Sequence, residues 1–193
     1  MKTRWTMIMV LVATLGGFSA SAGLIVNITE ESGSVVATAS GTLDLFDLSS
    51  WGPSSRSPQL YASSSYISLG VAGDETRYFP ISGPSTAWGT DGGVNATTAS
   101  GDRFAILGMM GYFATSTSYV SGSELYSTAT FNDYTLGDLG LTQATYIYTF
   151  GSGDHADSIT VNVIPEPASA MMLVFGAGVG MVIHRARRSA MRR

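Results

Sequence analysis

Residues 157–163 read Asp157-Ser158-Ile159-Thr160-Val161-Asn162-Val163. Ile159, Val161 and Val163 recur at every second position, with Thr160 and Asn162 between them. An extended chain of this pattern is apolar on one side and polar on the other. Leu24 to Glu30 repeats the pattern, with Val26 and Ile28 on one side and Asn27 and Thr29 on the other. Residues 34–39 continue it, as do residues 41–48, where Leu43 and Leu45 alternate with Asp44. Further strand candidates are 60–71, 77–81, 103–107, 127–135 and 144–150. Between them, residues 49–58 (Ser-Ser-Trp-Gly-Pro-Ser-Ser-Arg-Ser-Pro) hold two prolines and a glycine and read as a turn-rich loop. Residues 82–101 read as a second long loop. No stretch of 23–164 carries an amphipathic helical repeat over three turns. Short strands spaced by Gly, Ser and Thr predict an all-β fold, an antiparallel β-sandwich, jelly-roll-like or similar, in one domain over 23–164.

Charge divides the chain into a body and two ends. The whole chain carries −4, yet between Gly23 and Ile164 the only basic residues are Arg56, Arg77 and Arg103, against thirteen Asp and Glu, a balance of −10. Nucleic acid is excluded as a partner, because no basic patch is present to neutralise phosphates. With no cysteine in the chain, the fold rests on its core and its backbone ladders.

Few groups in the body can do chemistry. His155 is its one histidine, and it has no lysine. His155 sits in Gly151-Ser152-Gly153-Asp154-His155-Ala156-Asp157, between two strand candidates. One reading is a Ser-His-Asp site with Asp154 or Asp157 orienting the ring; the plainer one is a polar residue on a surface turn. No nucleophile elbow, zinc-hydrolase motif, P-loop or dinucleotide fingerprint occurs, so the expectation is no enzyme and no catalytic residue. No cofactor or metal ligand is assigned. Calcium is the one candidate, at Asp154 with Asp157 or at Asp91-Gly92-Gly93-Val94-Asn95, although Asp-Gly pairs are equally ordinary turn chemistry. Sugar binding is the alternative function. Trp51, Trp88, Tyr61, Tyr66, Tyr78 and Tyr112 lie in or near loops, where exposed rings could stack on sugars; the plainer role is packing on sheet faces. Asn27-Ile28-Thr29 and Asn95-Ala96-Thr97 read as chance matches to a glycosylation pattern.

The ends read as addresses. Lys2 and Arg4 precede an uncharged, largely apolar run from Met7 to Phe18, and Ala20-Ser21-Ala22 is a small-residue cleavage site. Residues 1–22 are therefore expected to be a signal peptide, cut between Ala22 and Gly23. At the other end stand Pro165-Glu166-Pro167, an uncharged span over 168–183, and a basic tail over 184–193 with Arg185, Arg187, Arg188, Arg192 and Arg193. Proline at 165 and 167 ends regular structure. At about 1.5 Å per residue the span is about 24 Å long, which flanking arginines extend by snorkelling. Basic residues after such a span hold it with that end in the cytoplasm.

This order of tripeptide, short apolar span and Arg-rich end resembles the PEP-CTERM sorting signal of bacterial exported proteins. The resemblance covers about the last thirty residues. It implies passage through the general secretion machinery, a transient C-terminal transmembrane helix, recognition by an exosortase, and delivery to the cell surface or extracellular matrix. Extracellular polysaccharide becomes a candidate partner. The alternative is an unprocessed single-span tail anchor. Residues 119–163 are similar, besides, to the C-terminal β half of a recurrent group of PEP-CTERM precursors. The similarity rests on Tyr119-Val120-Ser121-Gly122-Ser123, Ser127-Thr128-Ala129-Thr130-Phe131, Leu139-Gly140-Leu141-Thr142 and Gly151-Ser152-Gly153. It bears on fold and destination, and carries no activity.

Overall fold

The computed structural model describes residues 23–165. The signal peptide with Ala20 and Ala22, Glu166 and Pro167 of the tripeptide, the span over 168–183 and the basic tail all lie outside the described residues. Thirteen strands follow one another: β1 (Leu24–Glu31), β2 (Ser34–Gly41), β3 (Ser49–Arg56), β4 (Gln59–Tyr61), β5 (Tyr66–Leu69), β6 (Gly73–Phe79), β7 (Gly93–Asn95), β8 (Thr98–Gly101), β9 (Phe104–Leu107), β10 (Tyr112–Ser116), β11 (Leu125–Asn132), β12 (Ala144–Phe150) and β13 (Asp157–Ile164). Among the described residues the only helical turns are short 3-10 segments, and no helix is long and apolar enough to cross a membrane.

The strands form two sheets, ordered β12-β13-β1-β2-β11-β8 (sheet A) and β3-β6-β10-β9-β5-β4-β7 (sheet B). Period-two patterning gives each sheet an inner face. Leu24, Val26 and Ile28 of β1, Val35, Ala37 and Ala39 of β2, and Ile159, Val161 and Val163 of β13 share one core with Leu60, Ile67, Phe104, Ile106 and Phe113 of sheet B. All-β layering of the sandwich type is thus the direct outcome of the alternation read in the sequence. Strands β5 and β9 are buried on both faces, because the outer face of sheet B carries a second, smaller apolar cluster of Tyr66, Ala105, Leu107 and Ala114.

The structure corrects the sequence reading at several points. The sheets are not wholly antiparallel: β1 pairs with β13 in parallel, Leu24 beside Ile159 and Thr29 beside Ile164. Side-chain alternation fixes which face a strand buries and not its direction, and here the connection between the two strands is the rest of the domain. The β2 ladder ends at Gly41 and does not resume over 42–48. Gly41 has φ +130, and a Cβ there would lie 2.4 Å from the Gly23 carbonyl oxygen. Residues 49–58 hold a strand rather than a loop. β3 tolerates Pro53 because it is an edge strand whose register shifts between Trp51 and Ser54. The expected loop 82–101 contains β7 and β8, and β10 was not anticipated at all.

Segment 82–92 closes the core by inserting Trp88, which is fully buried. Its indole Nε1–H donates to the Tyr148 hydroxyl at 2.8 Å, with the two rings edge to face at 6.4 Å. Bridges Ser82–Thr149 and Gly89–Leu141 hold the segment on either side. Replacing Tyr148 by Phe leaves a buried indole N–H without its acceptor. A loss of about 1–3 kcal/mol is expected in urea denaturation; a variant as stable as the parent would contradict the packing described.

Candidate functional site

The outer face of sheet B gathers all three arginines of the body. Glu75 of β6 is completely buried, and Arg103 grips it through Nε at 3.0 Å and Nη2 at 2.6 Å. Arg103 Nη1 also donates to Ser68 Oγ and to the Leu69 carbonyl. The second carboxylate oxygen of Glu75 accepts from Ser54 Oγ at 3.0 Å and faces Arg56 Nε at 3.4 Å. A buried charge held this way is satisfied on every side, so it is a structural bolt between β3, β5, β6 and β9.

Beside the bolt runs a row of rings and guanidinium groups. Trp51 pairs with Arg77 across β3 and β6, and the Arg77 guanidinium lies 5.6 Å from the Trp51 ring and 5.8 Å from that of Tyr112. The Tyr112 hydroxyl accepts from Arg56 Nη2 at 3.1 Å; Arg56 stands over Tyr66 at 5.5 Å; Tyr66 meets Tyr61 at 5.7 Å. Such contacts hold each cation by the negative face of a ring. At the Trp51 end the row opens into a cleft of about 540 Å³, lined by Trp51, Arg77, Phe79, Pro80, Ile81, Met110, Gly111 and Tyr112. Trp51 and Met110 are each 68% exposed. Apolar side chains bared together at one concave place are the usual mark of a binding surface.

Of the six aromatics singled out in the sequence, Trp51, Tyr61, Tyr66 and Tyr112 therefore lie on this one face. Trp88 and Tyr78 do not, since both pack in the central core. Residues 91–95 run into β7 (Gly93–Asn95). Gly93 opens β7, where a Cβ would fall within 2.0 Å of the Tyr61 ring, so the glycine is there to let the ring lie flat over the strand. Arg77, Phe79 and Met110 were missed. The signal for Arg77, its pairing with Trp51, is hidden when 49–58 reads as a loop.

His155 finds a partner that sequence proximity did not suggest. Its Nδ1–H donates at 2.8 Å to Asp44, which lies 111 residues away, rather than to Asp154 or Asp157, and its ring stacks on Phe46 at 4.0 Å. Asp157 instead accepts from the Asp44 amide at 2.8 Å and the Ser158 amide at 2.7 Å. Ser121, Tyr119 and Ser152 complete the attachment of segment 42–48, through the Leu45 amide, the Leu43 amide and the Asp47 carboxylate. The groups around His155 act as a strap that fastens this segment to the β12–β13 turn. The ring's hydrogen-bond partner is the Asp44 carboxylate, not a serine or threonine hydroxyl of the same turn. Among the described residues no three acidic, His or Cys side chains are grouped as a metal would require. Gly23 is the first described residue, set against Ser158, and Pro165 is exposed directly after β13.

The strap sets a pH dependence. The hydrogen bond to Asp44 raises the His155 pKa above 6.5, and the same bond lowers that of Asp44 below 3.8. Asp47 and Asp154 add to the rise at His155, while burial pushes the Asp157 carboxyl up. A raised histidine pKa gives stability that is complete below pH 6.5 and is lost as pH climbs through the folded value. The lowered Asp44 pKa gives stability present above pH 3.8 and lost as pH falls through its folded value. From pH 6 to pH 9 the urea midpoint is expected to fall more in the parent than in His155→Ala, where Asp157 titrates as before. Parallel declines in the two proteins would remove the strap's role.

No family model matches the chain, and neither a curated protein nor a solved structure matches it.

Proposed function

We propose that the chain is an exported, non-enzymatic display protein, processed by an exosortase at Pro165-Glu166-Pro167 and left at the cell surface or in the extracellular matrix. The observation that carries this reading is where the ladder stops. β13 stays hydrogen-bonded beside β1 as far as Ile164 opposite Thr29, and Pro165 follows at once, exposed. A processing enzyme needs an extended, accessible segment, and the tripeptide begins on the residue where the sheet ends. The parallel pairing places the start of β1 and the end of β13 at opposite ends of the sheet, about 17 Å apart at 3.3 Å per residue. A body tethered through Pro165 therefore turns the β1–β2 hairpin towards the membrane and the Asp44–His155 strap away from it. Glu30 and Glu31 lie at the tethered end, where repulsion from anionic headgroups assists departure after cleavage.

A second reading, a carbohydrate-binding module delivered by the same route, is favoured by the exposed Trp51 and its cleft. Sorting is tested by fractionating native cells that carry Pro165→Ala with Pro167→Ala. The parent is expected in the surface or medium fraction, and the variant in the membrane fraction. Identical distribution of the two would contradict processing at this tripeptide.

A further inference from the structure

We infer that the cleft at the edge of sheet B binds the carboxylate-bearing sugars of an acidic polysaccharide, with Trp51 as the stacking platform and Arg77 as the carboxylate partner. Charge is the first argument. Arg56 and Arg103 share Glu75, whereas Arg77 has no carboxylate partner among the described residues. Its Nε is buried without a hydrogen-bond partner, so ring contacts alone hold the group in place. In a body with thirteen acids and three arginines, this cleft has no acid in its lining. A guanidinium flanked by rings and kept clear of carboxylates is complementary to an incoming carboxylate, which its planar fork can accept through two bonds.

Shape is the second argument. Trp51 stands on edge strand β3 and presents an exposed indole, a flat apolar surface that matches the CH-bearing face of a pyranose ring. Phe79 and Met110 extend this surface, and the volume suits a ligand of sugar size. Position on an edge strand lets a chain continue past the site in both directions, which favours a residue within a polymer over an isolated small acid. The remaining acids of the body oppose a polyanion at long range. Physiological salt, with a screening length of about 8 Å, damps that repulsion more than it weakens a desolvated contact.

The inference rests on the display reading only for where the polymer is met. Binding in vitro does not depend on processing, so either can fail without the other. The test is affinity electrophoresis of the full-length protein in mild detergent at 0.15 M salt, through gels containing polygalacturonate, alginate or carboxyl-reduced polygalacturonate. Retardation by the two uronate polymers is expected. It should weaken about tenfold in Trp51→Ala and in Arg77→Gln, and about tenfold for the parent on the reduced polymer. Trp51 is exposed, so an unchanged urea midpoint for Trp51→Ala separates lost binding from lost folding. His155→Ala should bind as the parent does. Lack of retardation by either uronate polymer, equal retardation by the reduced one, or full binding by Trp51→Ala would each overturn the proposal.

Discussion

Mutual burial of two half-apolar sheets is the constraint on which everything else in this protein depends. The chain has no cysteine, and the described residues include no α-helix, so the inner faces of sheets A and B must supply the cohesion themselves. They do so with strands that alternate strictly, such as β11, where Leu125, Ala129 and Phe131 point inward. Fully buried apolar side chains contribute roughly 1.5–3 kcal/mol apiece before the entropy of ordering is set against them. The parallel β1–β13 pair follows from the same need. Both strands carry an uninterrupted apolar face, and each is flanked on its other side by its hairpin partner. Joining them makes one sheet from two hairpins.

Once that core exists, the outer faces are free to differ. Sheet B keeps its charge where it is matched, with Glu75 held between Arg103 and Arg56, and aligns its aromatic rings beside that ion pair. Among the described arginines, the one without a carboxylate, Arg77, stands at the exposed end of the row. Rigid support for a surface group comes here from the bolt beneath it: β3 and β6 are pinned by Ser54, Glu75 and Arg56, so Trp51 and Arg77 face each other on a fixed frame. The strap around His155 works on the same principle elsewhere, using hydrogen bonds accepted by the Asp44 and Asp157 carboxylates to hold a segment that has no ladder of its own.

Legibility followed the chemistry of each segment. β12 and β13 are readable because side chains alternate between buried and open over the last six residues of β12 and all eight of β13. β7 and β8 were not, since neither has a fully buried residue and edge strands need no apolar face. β3 was mistaken for a loop because Gly52 and Pro53 speak against a central strand, and nothing in a single sequence says that a strand lies at an edge with a bulge. The aromatics of the candidate site were visible as residue types, but not their division between core and surface. Arg77 had no local signal. Asp44 and His155 could not be joined, because period and spacing report on neighbours along the chain and the contact spans more than half of it.

On the proposed reading, the β body is the part carried out of the cell and the cleft on its outer face is the part that holds on there. On that reading the folded body coincides with what remains after both ends are removed. Intact mass of the protein recovered from the surface or medium of its native cell tests this most directly. The expected species begins at Gly23 and ends between Pro165 and Pro167. A species that still carries Ala168 to Arg193 would mean a permanent membrane anchor, and the sorting account would fail.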